Sequence, residues 1–378
     1  MSLLTNKIRA LKESLFSSPK QEEPLPFPDT LSIESSYACN LKCVMCPRHF
    51  EGVPQGMFSL EMFEKYVEPY VGKFKYLHLT GWGEPLMNRD LPEIIKRARA
   101  QKVHTCFTSN GLLLKNPLDR KILEANPESM NISCDADNAV TYEQVRGKGT
   151  FDLLIERMKS FNKLRVEMGA QTRMMWVFVM MRSNFEQLPN AIRLAAECGF
   201  HTFGAKHMET AVSREDLREA MWNTGFVEDV PADIVARHDA VIAEAIRVAD
   251  EVGIDLFVHT RRMDDTKGMC LVRPVNNLFI DYMGRVSACC YLNPNDVRPY
   301  NLPHEKPKDT GVVGDLRLGD LMEILESPLY RDFQRTWRDG KVAEACKNCL
   351  QVQRIHTTSD DGTHSGPDRA GTEIKSRS

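Results

Sequence analysis

Within the stretch SSYACNLKCVMCPRHF, Cys39, Cys43 and Cys46 are separated by three residues and then by two. A structural zinc ion takes four protein ligands, and disulfides use sulfurs in pairs. Three thiolates on so short a loop suit a metal centre that leaves one coordination position for a group from outside the protein. A zinc knuckle completed by a distant fourth ligand is the alternative. The start, MSLLTNKIRALKESLF, mixes charged with apolar residues and lacks a continuous apolar core with a cleavage site, so it does not read as a signal peptide. The expected location is cytoplasmic, where the eleven cysteines stay reduced and clustered ones act as metal ligands rather than disulfides. A net charge of −3 without clustered Lys and Arg argues against a nucleic-acid partner. No apolar run approaches the roughly 18 residues of a membrane span, so no membrane association is expected.

The elements that must position this loop alternate in type along the chain. TLSIESS precedes the helical pattern SLEMFEKYVEPYV, YLHLT precedes DLPEIIKRARAQ, and HTCFTSN precedes PLDRKILEA. SMNISCD, RMMWVFVMM, HTFGAKH and IDLFVHT continue the strands, with helical stretches at TFDLLIERMKSFNKLRVE, EQLPNAIRLAAEC and PADIVARHDAVIAEAIRVADEV between them. Repeated β-then-α units predict a parallel sheet with right-handed crossovers. The fold class is α/β, a partial (β/α)6 TIM-like barrel whose chemistry sits on loops at the C-terminal strand ends. The cysteine loop follows the first strand and falls on that face.

An N-terminal helix and Pro-rich linker take residues 1–29, and the barrel is assigned to 30–262. A small α+β domain with the hairpin-like NNLFIDYMGRVSACC and the late helix DLMEILESPLYRDFQRTW is assigned to 263–352. The Ser-, Thr-, Gly- and Asp-rich tail 353–378 is expected to be flexible, because it has little apolar surface to bury.

The triplet Cys39, Cys43, Cys46 after a first strand resembles the signature of the radical S-adenosylmethionine (SAM) enzymes. The resemblance runs from Ser32 to Cys349 and implies that the thiolates hold a [4Fe-4S] cluster whose open iron binds SAM. GWGEP resembles the family's GGEP motif, with Trp82 in the place of one glycine. It implies that Gly81 and Gly83 let the backbone approach the bound methionine and that Glu84 accepts from its ammonium group. Ser109 and Asn110 after the third strand, and Ser133 and Asp135 after the fourth, then stand where the family binds the ribose hydroxyls or the methionine carboxylate. Ser133 and Asp135 share a strand face while Cys134 points away. Arg146 is placed to reach the SAM carboxylate or to lie in solvent. Ser133 capping the next loop is the plain alternative.

A second set, Cys270, then Gly284-x4-Cys289, then Cys346-x2-Cys349, resembles the auxiliary-cluster domain of the SPASM and twitch subfamilies. Four thiolates would complete the cage of one auxiliary [4Fe-4S] cluster with no open iron. A four-cysteine zinc ribbon is the alternative, since spacing alone does not separate the metals. Cys290 adjoins Cys289 and is open to three roles: exchanged ligand, buried bystander, or hydrogen-atom donor in catalysis. Lys206, His207 and Glu209 after the strand HTFGA, and His259 after LFV, are candidate contacts to a polar substrate at the reactive face.

The resemblance implies a radical SAM oxidoreductase that cleaves SAM to a 5′-deoxyadenosyl radical and abstracts hydrogen from a polar small molecule. The auxiliary cluster would take the electron, as in twitch-type aminocyclitol dehydrogenases. A peptide or protein maturase, and a redox-neutral epimerase or dehydratase, use the same parts, and a non-catalytic metal-binding module belongs to another class altogether. A reductase such as flavodoxin or ferredoxin is the implied electron donor, and the expected substrate is a small molecule or a peptide.

Overall fold

The structure, a computed structural model, describes residues 25–46, 48, 54–147, 150–208, 232–258, 270, 274–292 and 311–346. The N-terminal helix and the tail expected at the two ends lie outside the described residues, as do Cys349, Glu209 and His259.

Seven strands, β1 (Thr30–Ile33), β2 (Tyr76–His78), β3 (His104–Ser109), β4 (Ser129–Ser133), β5 (Arg173–Met180), β6 (Thr202–His207) and β7 (Asp255–Val258), lie side by side in chain order. Every neighbouring pair among them is parallel. Helices such as Leu91–Ala100, Leu188–Glu197 and Ala232–Val252 make the return crossings. The arrangement is a partial barrel.

Strand alternation explains which side chains line it. In β5, Met174, Trp176, Phe178 and Met180 are buried, while Arg173, Met175, Val177 and Val179 between them are not. The buried set joins one core with helical residues such as Ile94, Leu154 and Ile192. Successive residues of a strand point to opposite faces, so the second set looks into the concave side, hereafter the lumen. Trp176 anchors the helix side, stacked on Phe203 at 6.2 Å, with its Nε1 donating to the Cys134 carbonyl at 2.8 Å. Cys134 thus points away from the lumen as alternation requires.

β8 (Asn277–Ile280), β9 (Arg285–Ser287) and β10 (Val312–Asp315) complete the sheet. The expected hairpin is β8–β9, turned at Gly284, whose φ of +91° is a conformation that favours glycine. β8 pairs in parallel with the other side of β1, so the hairpin extends the same ten-stranded sheet, in the order β10-β9-β8-β1-β2-β3-β4-β5-β6-β7.

Two expected helices come out differently. The late helix is broken into Leu321–Glu326 and Pro328–Arg338. Ser327 stops the first, caps Tyr330 N with its hydroxyl at 3.3 Å, and Pro328 opens the second where no N–H is needed. The helix after the cysteine loop widens to a π-turn over Phe63–Val67, just before Pro69, which cannot donate.

Candidate active site

The cysteine loop leaves β1 and returns beneath the ends of β2 and β4. Its sulfurs lie within reach of one another's charge, and they are only partly exposed. Burial pushes the Cys43 thiol up to about 11, and the Arg146 guanidinium works against that rise. Leu41 N donates to Cys39 Sγ at 3.4 Å, Asn110 Nδ2 approaches the same sulfur at 3.9 Å, and Arg146 Nη1 approaches Cys43 Sγ at 4.0 Å. Met45, Val145, Met181 and Met208 form an apolar cluster against which Cys43 packs. Donors aimed at sulfur within an apolar wall are what an iron–sulfur cluster needs, because they stabilise the charge on its thiolates while limiting water. The residues present fit that group. Among the described residues no three Cys, His, Asp or Glu side chains converge as ligands of one ion. A cubane places each thiolate on a different iron, so its ligands need not converge.

GWGEP is clamped onto this loop by main-chain bonds, Gly83 N to Ser36 O at 3.1 Å and Glu84 N to Ala38 O at 2.7 Å. The clamp explains both glycines. A Cβ on Gly83 would sit 2.2 Å from Ser36 O, and one on Gly81 would sit 2.2 Å from the Glu34 side chain. On the side where a Cβ would stand, the chain itself fills the space beside both glycines, so no larger residue fits.

The Glu84 side chain is likewise engaged within the chain. Its carboxylate is 2% exposed and accepts from Leu86 N at 2.9 Å, Ser109 Oγ at 2.6 Å and Asn110 N at 2.7 Å. Burial raises its pKa, and those three bonds pull it back. Glu84 therefore ties the end of β2 to the end of β3 and aims Asn110 at Cys39. It is a positioning residue for the cysteine loop rather than an open acceptor for an ammonium group.

Asp135 and Arg146, expected to bind separate parts of SAM, are partners of each other. Arg146 Nε and Nη2 donate to Asp135 Oδ2 at 2.7 and 2.6 Å, a two-pronged pair, and Val179 N donates to Asp135 Oδ1 at 2.7 Å. Asp135 is fully buried and Arg146 nearly so. Burial alone would lower the Arg146 pKa, but Asp135 and Cys43 outweigh it and keep the guanidinium charged. Asn184 braces the corner by donating to the Asp135 and Val179 carbonyls, both at 2.9 Å. Arg146 is thus a buried cation held over the cysteine loop, not a solvated loop arginine.

Ser133 pairs in register with Val177 and lies on the lumen side, as do Thr108, Asn131 and Lys206 by the same registers. The lumen wall of β1–β4 is polar, with Thr80 Oγ1 accepting from Thr108 N at 3.0 Å and Ser32 Oγ donating to Asn277 Oδ1 at 3.1 Å. The β5–β6 wall is apolar apart from Lys206 and, at its start, Arg173, whose Nη2 donates to Thr202 Oγ1 at 3.2 Å. His207 is the neighbour of Lys206 in the strand and so faces the helices. It is 3% exposed, with its ring 5.4 Å from that of His238 in Ala232–Val252. Of these two expected substrate contacts, Lys206 faces the lumen and His207 lies among the helices.

Of the second set, Cys270, Cys289 and Cys346 are buried together with Leu292 and Ala343. Cys290, Tyr291, Phe333 and Trp337 wrap this cluster. Cys290 hydrogen-bonds Cys289 and packs against the same cluster. The three thiols in a mainly apolar surround fit the expected auxiliary cluster, and the fourth expected ligand, Cys349, lies outside the described residues.

Sequence reasoning missed Glu34. It sits at the end of β1, fully buried, with Oε1 accepting from Trp82 N at 3.0 Å and Oε2 lacking a hydrogen-bond partner. Burial, with Asp281 adding to it, pushes its carboxyl up to about 8. The signal was a glutamate continuing the alternation of a buried strand.

Residues 33–195 match the family described as the Radical SAM superfamily, and residues 270–350 match an iron-sulfur cluster-binding domain, SPASM. The mycofactocin maturase MftC of Mycolicibacterium smegmatis is 28% identical over 47% of this chain, which spans only 44% of that relative. MftC of Mycobacterium ulcerans is 25% identical over 87% of this chain and 82% of its own length. An AdoMet-dependent heme synthase of Methanosarcina barkeri is 23% identical over 70% of this chain and 77% of its own. Among solved structures, SuiB of Streptococcus suis bound to S-adenosylmethionine superposes with a TM-score of 0.61 at 15% identity, covering 88% of this chain and 79% of SuiB. At that identity the likeness concerns the fold.

Proposed function

Because the chain belongs to the radical SAM superfamily, with SAM, a SAM-binding [4Fe-4S] cluster and an auxiliary [4Fe-4S] cluster as its cofactors, we propose that it oxidises a polar substrate held in the lumen. When bound, the first cluster supplies the electron that cleaves SAM to the 5′-deoxyadenosyl radical. Cys39, Cys43 and Cys46 hold it, Glu84 and Asn110 set one side of their loop, and Arg146, fixed by Asp135, sets the other. Ser133 and Lys206 look into the lumen at the level where SAM and substrate must meet. The observation that supports the oxidative reading is the second site, where Cys270, Cys289 and Cys346 lie buried in a mainly apolar surround. Its use is to accept an electron. The substrate would lose one hydrogen atom, one proton and one electron in all; a cluster held by Cys270, Cys289, Cys346 and Cys349 would supply the acceptor for that electron, and a flavodoxin- or ferredoxin-like carrier the electron that the first cluster needs.

A peptide substrate is the second reading, favoured by the length of the match to a mycofactocin maturase and by the fold shared with SuiB, which is also solved bound to the precursor peptide SuiA.

One reaction in deuterium oxide, read by mass spectrometry on small-molecule and peptide candidates, tests the reaction type. A product lighter by two hydrogens and free of deuterium is expected. A product of unchanged formula with one deuterium at the reacting carbon would replace oxidation by epimerisation.

A further inference from the structure

Trp82 stands where the family motif carries a glycine, and none of the roles above uses it. Its neighbours dictate its direction. Gly81 is pressed against the Glu34 stem and Gly83 against the Ser36 and Ala38 carbonyls, while Trp82 N is held by Glu34 Oε1 at 3.0 Å. With the main chain clamped on that side, the indole projects to the other. There it meets Tyr291 edge-on, ring centroids 6.0 Å apart at 62°. Tyr291 follows Cys289 and Cys290 in sequence, and its side chain packs against the buried cluster of Cys270, Cys289 and Cys346. The indole therefore rests on the ring that packs against the auxiliary site, one layer out from its cysteines.

Edge-to-face aromatic pairs hold geometry as well as excluding water. Among the described residues, Leu292, Ala343, Val342 and Phe333 add apolar surface around this site, and the Trp337 ring packs there too. Reduction adds a negative charge to a cluster, and a dry apolar shell disfavours that charge, which drives the potential down. We propose that Trp82, through Tyr291, closes the auxiliary site against the lumen and holds its reduction potential low. Trp82 is a positioning residue, and the inference rests on the reading of Cys270, Cys289, Cys346 and Cys349 as a cluster site.

The test uses the full-length chain carrying Cys39→Ala, Cys43→Ala and Cys46→Ala, so that only auxiliary-site iron contributes. Iron is counted first: about four irons per chain is expected for one cubane. Absence of iron refutes the cluster reading itself, whatever Trp82 does. The potential is then measured by redox titration with electron paramagnetic resonance in Trp82→Gly, Trp82→Phe and Tyr291→Leu. Trp82→Gly and Tyr291→Leu should become easier to reduce. At the parent's midpoint their reduced-to-oxidised ratio should rise about tenfold, a shift of about 59 mV for one electron. Trp82→Phe keeps an aromatic edge and should titrate with the parent. Equal potentials in all four proteins, or a shift in Trp82→Phe as large as in Trp82→Gly, overturns the proposal. If Trp82→Gly loads no iron, Tyr291→Leu decides.

Discussion

The two cysteine sites of this chain are built on opposite electrostatic plans. Around Cys39, Cys43 and Cys46 the protein sets charge and hydrogen-bond donors: Arg146 paired with Asp135, Asn110, and Glu84 behind it. Around Cys270, Cys289 and Cys346 it sets leucine, alanine and aromatic rings. A site that must take a charged ligand and receive an electron needs fixed polarity that does not reorganise during the reaction. A site that only stores an electron needs dryness. On the proposed reading, the contrast would separate a place where bonds change from a place where charge rests.

The largest effect that can break this contrast is loss of one site without the other. Cys39→Ala, Cys43→Ala and Cys46→Ala together should abolish dithionite-driven cleavage of SAM to 5′-deoxyadenosine, read by chromatography, and reduce iron from about eight to about four per chain. Persisting cleavage would remove the division of labour.

Next in size is the buried ion pair. Asp135→Ala leaves Arg146 charged and unpaired, and breaking such a pair costs about 3 to 5 kcal/mol. Denaturant unfolding measures it. A loss below about 1 kcal/mol, the range of solvated pairs, would show that the charge near Cys43 is wet and the contrast overstated.

Glu84→Ala comes third. Three donors lose a charged acceptor, so stability should fall by about 1.5 to 3 kcal/mol, and SAM affinity should fall with it as Asn110 loses its aim. Full destabilisation with unchanged SAM affinity by calorimetry would detach Glu84 from the ligand site.

The smallest effect sharpens the border between the sites, where Glu34 lies. Its carboxyl is held at about 8 in the folded chain against 4.5 ordinarily. The folded state keeps a proton that the unfolded chain gives up, so this contribution is complete below about pH 4.5 and is lost as pH rises through about 8. Within that window stability should decline by about 1.4 kcal/mol per pH unit from this group. Unfolding of Glu34→Gln followed across the same range should show that slope removed, and an unchanged slope would mean that Glu34 is ionised in the fold.

Much of this was legible because it is local. The β/α alternation follows from hydrophobic period, and the triplet Cys39, Cys43, Cys46 needs only one loop. What escaped depends on tertiary neighbours. Glu84 and Asn110 lie 26 residues apart and meet only because β2 and β3 are adjacent. The Asp135–Arg146 pair was hidden because each residue had a plausible ligand of its own. Ser32 and Asn277, 245 positions apart, touch across the β1–β8 pairing, which no local period encodes. His207 is different: alternation along HTFGAKH already separated it from Lys206, and that signal was readable. The break at Ser327–Pro328 was readable too, as a cap followed by proline.

The pairing of β8 with β1 has a further consequence, for what happens if the chain is cut. Without the hairpin, β1 would present a row of open main-chain N–H and C=O groups directly below the cysteine loop, a template on which a second chain could add a strand. In the intact sheet that exposure is moved out to β10, four residues long and irregular in register between Val312 and Gly314. Short and bulged strands resist such addition. The C-terminal unit therefore also acts as the guard of an otherwise adhesive border, and a fragment ending after β7 should self-associate rather than behave as a smaller version of the same enzyme.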